Sequence, residues 1–245
     1  MANIRSSLGS KATCHVFLKP FSRHSFKTAA KTKPQRLLLS SALVLALALS
    51  PLVLAQSWDA SSSELLSRWE HITTAMDRKD REQALESLAA EASALVEANP
   101  ANSDLLIVDG IVQASLAREV GGLDALGAAK HARNVLERAV EIDADGHAGS
   151  AYVTLGALYD RAPGWPVAFG DSETAEQMFQ RALEIRPDGM DVNYYYAAFL
   201  AEEGRNAEAI EHARRAEQGA PRADRQASDK ALKNKARVLR QKLGG

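Results

Sequence analysis

From about residue 62 onward the apolar positions recur every three or four residues with polar residues between them, and no stretch alternates for long. That period belongs to amphipathic helices and not to strands. It predicts helices over 62–77, 80–98, 102–118, 125–142, 147–160, 172–186, 190–203, 205–219 and 222–243. Ala, Leu and Glu dominate these segments, which favours helix where packing leaves the choice open.

The pattern repeats on a longer period as well. ERAVEIDADG (137–146) returns as QRALEIRPDG (180–189), 43 residues on with six identities in ten. A looser copy surrounds Ala216 and Pro221, a further 34 residues on. In this register the first helix of successive pairs carries Gly110, Gly156 and Ala197, and three residues later Gln113, Tyr159 and Leu200. The second helix carries Ala132, Ala175 and Ala209, then Leu136, Phe179 and Ala213, then Ala139, Ala182 and Ala216. Ala144, Pro187 and Pro221 close the unit. Small residues at fixed spacing let helix axes approach, and large ones fill the space beside them.

These residues resemble the consensus of the tetratricopeptide-repeat (TPR) family, best in the pair that begins near Gly149 and contains Tyr152, Leu155, Gly156, Tyr159, Ala175, Phe179, Ala182 and Pro187. The resemblance implies an all-α, TPR-like α-solenoid of about four helix pairs with a C-terminal capping helix. It also implies a non-enzymatic scaffold that recognises a protein or peptide in its groove. A single pair cannot bury its apolar face, so units must stack and the ends need caps.

Charge divides the chain. Residues 1–55 hold eight Lys/Arg and no Asp or Glu, and end in the apolar run Leu37–Ala55, with Pro51 and then Val53-Leu54-Ala55 ahead of Gln56. This reads as a signal peptide with a long basic leader, and so as export to the periplasm. The alternative is an uncleaved segment anchoring the chain in the inner membrane, the one membrane contact expected. Residues 56–100 read as a degenerate helix pair, 101–221 as the repeats and 222–245 as the cap. From Arg222 to Lys242 there are eight Lys/Arg against two Asp, whereas 56–221 hold 14 against 29, so the cap is expected to dock partly by charge. An acidic array argues against nucleic acid.

Two hinges depart from the repeat. The crossing residue and the first Ala of the second helix lie 12 apart for Ala197 and Ala209, but 19 apart for Gly156 and Ala175, and 22 for Gly110 and Ala132. The longer insertion includes GGLDALGA (121–128), and the other is RAPGWPVAFGD (161–171), which cannot continue a helix. Asp171 is placed to cap the next helix. The PGWP…FGD segment resembles that of an exported bacterial TPR-like subgroup and, distantly, the T-component associated with TRAP transporters. That likeness implies the second reading of function, a small-molecule carrier subunit beside an uptake system, with an enclosed apolar cavity near Trp165 and Tyr194. Trp165 and Phe169 are expected to fold back as a plug between helices, the alternative being direct contact with a ligand.

Candidate chemistry is sparse. The single cysteine, Cys14, lies in the leader. His71, His131, His147 and His212 show no metal-ligand spacing and are expected on the solvated surface. No phosphate loop, dinucleotide fingerprint or nucleophile elbow occurs, so no cofactor, metal or catalytic residue is expected. The partner-binding candidates are Tyr194 and Tyr195, which should face the concave surface when Tyr196 faces the core, with Asp160, Arg161 and Asp191 beside them. The competing arrangement has the capping helix packed over both tyrosines.

Overall fold

The computed structural model describes residues 50–244; the leader expected up to Leu49 lies outside them, and Ser50–Ala55 open the first helix. Nine α-helices make up the described residues, with no strand: α1 (Ser50–Thr74), α2 (Arg78–Ala98), α3 (Ser103–Glu119), α4 (Gly122–Ile142), α5 (Gly146–Arg161), α6 (Ser172–Ile185), α7 (Met190–Glu202), α8 (Asn206–Gln218) and α9 (Gln226–Lys242). They form the expected TPR-like solenoid of four helix pairs closed by a ninth helix. No described helix is long and apolar enough to cross a membrane.

Capping sets several boundaries. Asn102 Oδ1 accepts from Leu105 N at 3.0 Å and Asp171 Oδ1 from Thr174 N at 2.7 Å, each satisfying a donor that the first turn leaves open. The GHAGS stretch is a left-handed turn at the head of α5, with φ of 46°, 51° and 74° at His147, Ala148 and Gly149. Arg222 N donates to Asp229 Oδ2 at 2.8 Å, tying back the segment after Pro221, so α9 starts four residues later than its pattern suggests.

GGLDALGA is helix and not hinge. Gly122, at φ +61°, turns the chain, and Leu123 to Leu126 form the first turns of α4 with Asp124 near its positive end. The insertion therefore lengthens a helix and adds wall to the solenoid.

Within the pairs, crossing depends on missing side chains. A Cβ on Gly156 would lie 2.7, 2.8 and 2.9 Å from three ring carbons of Phe179, and one on Gly110 would run into the side chain of Leu136. Both partners are 0% exposed, so bulk and gap come from facing helices.

The last helix also reaches the first. Ser228 N and Oγ each donate to Glu70 Oε1 at 2.9 Å, and the Arg225 guanidinium lies 5.6 Å from the centre of the Trp69 ring. This clasp between α9 and α1 narrows the concave side.

Candidate ligand cavity

Beside the clasp lies a cavity of about 680 Å³, open to solvent at a rim that includes Leu123 and Val167. Trp69 of α1, Ile111 of α3, Leu126 of α4, Val153 of α5, Tyr194 of α7 and Leu232 of α9 each give it a wall. Its volume falls within the roughly 300–1,000 Å³ of small-molecule sites. Both insertions border it, the first through Gly122, Leu123 and Leu126, the second through Ala162, Pro163 and Val167.

The structure brings together some of the sequence candidates. Tyr194 and Tyr195 border the cavity, half-buried and edge to face with ring centres 5.2 Å apart. Burial pushes the Tyr194 phenol above its ordinary pKa. The capping helix does not seal these rings off, since α9 shares the same cavity through Leu232. Arg161 reaches the cavity from an exposed position, with Nε 2.9 Å from Asp160 and NH2 2.7 Å from Glu202. Asp160 stands outside the lining; burial pushes its carboxyl up, against the pull of Arg161.

Asp191 belongs to a buried ion cluster. Arg186 NH2 lies 2.6 Å from one carboxylate oxygen and Arg222 NH1 3.0 Å from the other. Burial alone would raise its pKa, but Arg222 and Arg186 outweigh it and hold the group below its ordinary value. The carboxylate is thus committed to its own chain.

Trp165 is not a plug. It is 89% exposed and stands outside the cavity lining. Phe169 is the aromatic that turns inward: its ring packs edge-on against Tyr159 at 5.5 Å, with the Arg133 guanidinium 4.6 Å from its centre. The backbone decides which ring does so. Gly170 N donates to Pro163 O at 2.9 Å and Asp171 N to Tyr159 O at 3.0 Å, pinching the loop at its base. Gly170 passes so close to the Ala162 carbonyl that any Cβ would clash, and Trp165 is left at the projecting tip.

The histidines also depart from expectation, because three of the four are drawn into the fold. His131 Nε2 meets Asp109 Oδ2 at 2.7 Å, His147 Nε2 lies 3.2 Å from Asp104, and His212 Nδ1 meets Asn193 Oδ1 at 2.9 Å beneath the edge of Tyr196. His71 alone is exposed. Hydrogen bonding to Asp109 raises the His131 pKa despite burial, whereas burial lowers those of His147 and His212. Asp109 is 0% exposed and also accepts from Ser93 Oγ at 3.0 Å. A carboxylate inside the apolar run Leu105–Val112 was the available signal that such a partner must exist. Among the described residues, no group of three or more His, Cys, Asp or Glu could hold a metal ion.

Sequence reasoning missed Arg225, which borders the cavity and is 5% exposed. Nothing in its local sequence, PRADRQ, sets it apart from the other basic residues of the cap.

Neither a family model nor a curated protein matches this chain. Among solved structures it is similar to the thermophilic TPR protein TTC0263 of Thermus thermophilus, with 16% identity, a TM-score of 0.50, and coverage of 76% of this chain and 94% of that one. MamA gives 18% identity and a TM-score of 0.44 over 69% of this chain and 93% of its own. At such identity the first match speaks for architecture alone, and the architecture is that of a TPR-like α-solenoid.

Proposed function

We propose that this protein is a non-catalytic binding protein that carries a small, largely apolar molecule in the cavity walled in part by α1 and α9. The observation that carries this reading is the clasp of Ser228 and Arg225 on Glu70 and Trp69, which joins the two ends of the array beside the cavity. α9 takes up part of the concave face, which leaves less of it for a peptide. Export through the 1–55 leader and work in the periplasm beside an uptake system belong to the same proposal, and mass spectrometry finding only a full-length, membrane-retained chain would refute that part.

The cavity itself is tested with a neutral apolar dye such as N-phenyl-1-naphthylamine. Wild type should bind it with enhanced emission, and Ala198→Trp, which adds bulk at a half-buried lining position, should abolish binding without loss of helicity. Equal dye binding by both proteins would sink the reading.

A protein partner remains the second reading, supported by the rim. Leu123, Trp165 and Val167 are 84%, 89% and 61% exposed, and Leu123 and Val167 both border the cavity. Exposed apolar side chains from two inserted segments suit docking of a partner that hands over or receives the ligand.

A further inference from the structure

Among the described residues, Arg225 is the one buried cation of the cavity lining with no carboxylate within hydrogen-bond distance. It immediately precedes α9 and is 5% exposed. Its Nε is buried without a hydrogen-bond partner, and the nearest carboxylate oxygen, on Asp224, lies 3.9 Å away on a side chain that is itself 60% exposed. The two buried carboxylates nearby are already taken. Arg222 holds Asp229 through Nε at 3.0 Å and NH2 at 2.7 Å and reaches Asp191 at 3.0 Å, while Arg186 holds the other oxygen of Asp191 at 2.6 Å. Three guanidiniums therefore share two buried carboxylates, and the only other carboxylate near Arg225 among the described residues, that of Asp224, stands off on an exposed side chain.

An arginine does not shed its proton to escape burial in a folded protein. A buried charge lacking a paired, hydrogen-bonded counter-charge is among the costliest arrangements a fold can hold. Here the face of Trp69 compensates in part, at 5.6 Å. Burial and the neighbouring Arg222 still press the Arg225 pKa down to about 10, against the pull of Asp191, Asp224 and Asp229. The other basic residues of the lining differ. Arg118, Arg161 and Lys235 are exposed, and Arg222 is engaged on both sides.

We propose that the cavity takes an amphipathic anion, an aliphatic chain ending in a single carboxylate, with the chain against the apolar walls and the carboxylate on the guanidinium of Arg225. This rests on the cavity being a ligand site. A carboxylate matches the flat fork of guanidinium donors and would give the buried Arg225 Nε the partner it lacks. A neutral lipid would leave Arg225 as it stands.

The test is displacement of N-phenyl-1-naphthylamine from the full chain by three probes: decanoate, decanol and acetate. Decanoate should compete at a concentration at least about tenfold below that of decanol, the ratio of a charge-assisted hydrogen bond worth roughly 1.4 kcal/mol or more. Acetate, with the charge but no chain, should not compete. Arg225→Met should erase the preference for the acid, bringing decanoate and decanol to similar concentrations, Arg225→Lys should keep part of the preference, and Lys235→Met should keep all of it. Because Arg225→Met removes an unanswered buried charge, its melting temperature should not fall. Equal competition by decanoate and decanol in wild type overturns the assignment without needing any variant, as does an unchanged ratio in Arg225→Met. Failure of the dye and of both ten-carbon probes to bind would instead remove the cavity reading, and this inference with it.

Discussion

Replacing Gly156 with alanine puts one methyl group where α5 crosses α6. The new carbon would stand 2.7, 2.8 and 2.9 Å from three carbons of the Phe179 ring, against the roughly 3.5–4.0 Å at which carbons rest. The ring cannot swing aside. It is 0% exposed, with Tyr196 and Phe199 packed at 5.7 and 5.8 Å between centres. The helices must part, which places the substitution near the upper end of the overpacking range, about 3 kcal/mol. Alanine returns about 1 kcal/mol through its better helix propensity. The net cost is roughly 2 kcal/mol, a fall in melting temperature of about 4–8 °C for a domain of this size. Thermal and denaturant melts of Gly156→Ala, Phe179→Leu and the double variant give the coupling. The double variant should lose less than the sum of the singles by about 1 kcal/mol or more, because the smaller side chain makes room for the methyl. A higher melting temperature for Gly156→Ala would show that propensity alone governs this position and that the crossing is not where the register puts it.

Two further outcomes follow from particular contacts. Trp165→Ala should leave the melting temperature within about 1 °C, since an exposed side chain has little burial to lose, whereas Phe169→Ala should cost about 2 kcal/mol; a reversed order refutes the placement of the two rings. The bond to Asp109 raises the His131 pKa, so its contribution is complete below the unfolded value of about 6.5 and disappears as pH rises through the higher folded value. The stability gap between wild type and His131→Gln should therefore be wider near about pH 5.5 than near about pH 8.5, and equal gaps in denaturant titrations would refute it.

The helices were legible because a 3.6-residue period is written into each segment and needs no distant partner. The crossing glycines were legible for a related reason: Gly110 and Gly156 recur in phase with the bulk of Leu136 and Phe179, so gap and filler announce each other. Insertion length pointed at 121–128 and 161–171, and both border the cavity. What those segments become was not readable. GGLDALGA contains both turn-forming glycines and helix-forming Leu and Ala, and packing decided for helix. In the second insertion two aromatics compete for one inward position, and the approach of Gly170 to Ala162 decides for Phe169. The burial of Arg225 was hidden more deeply still. It depends on a clasp between Glu70 and Ser228, 158 residues apart, and neither residue is unusual where it stands.

That clasp changes how the molecule should come apart. In an open repeat array each unit touches only its neighbours, stability is close to a sum of nearest-neighbour steps, and melting starts by fraying at either end. Joining α9 to α1 removes that escape, because the outermost helices hold each other as well as their neighbours. Loosening one end must then loosen the other, and the ladder of partial unfolding expected of an open array contracts toward a single cooperative step. A molecule held inside would share in that step. Binding there would steady both ends of the array at once, through contact with α1 and α9.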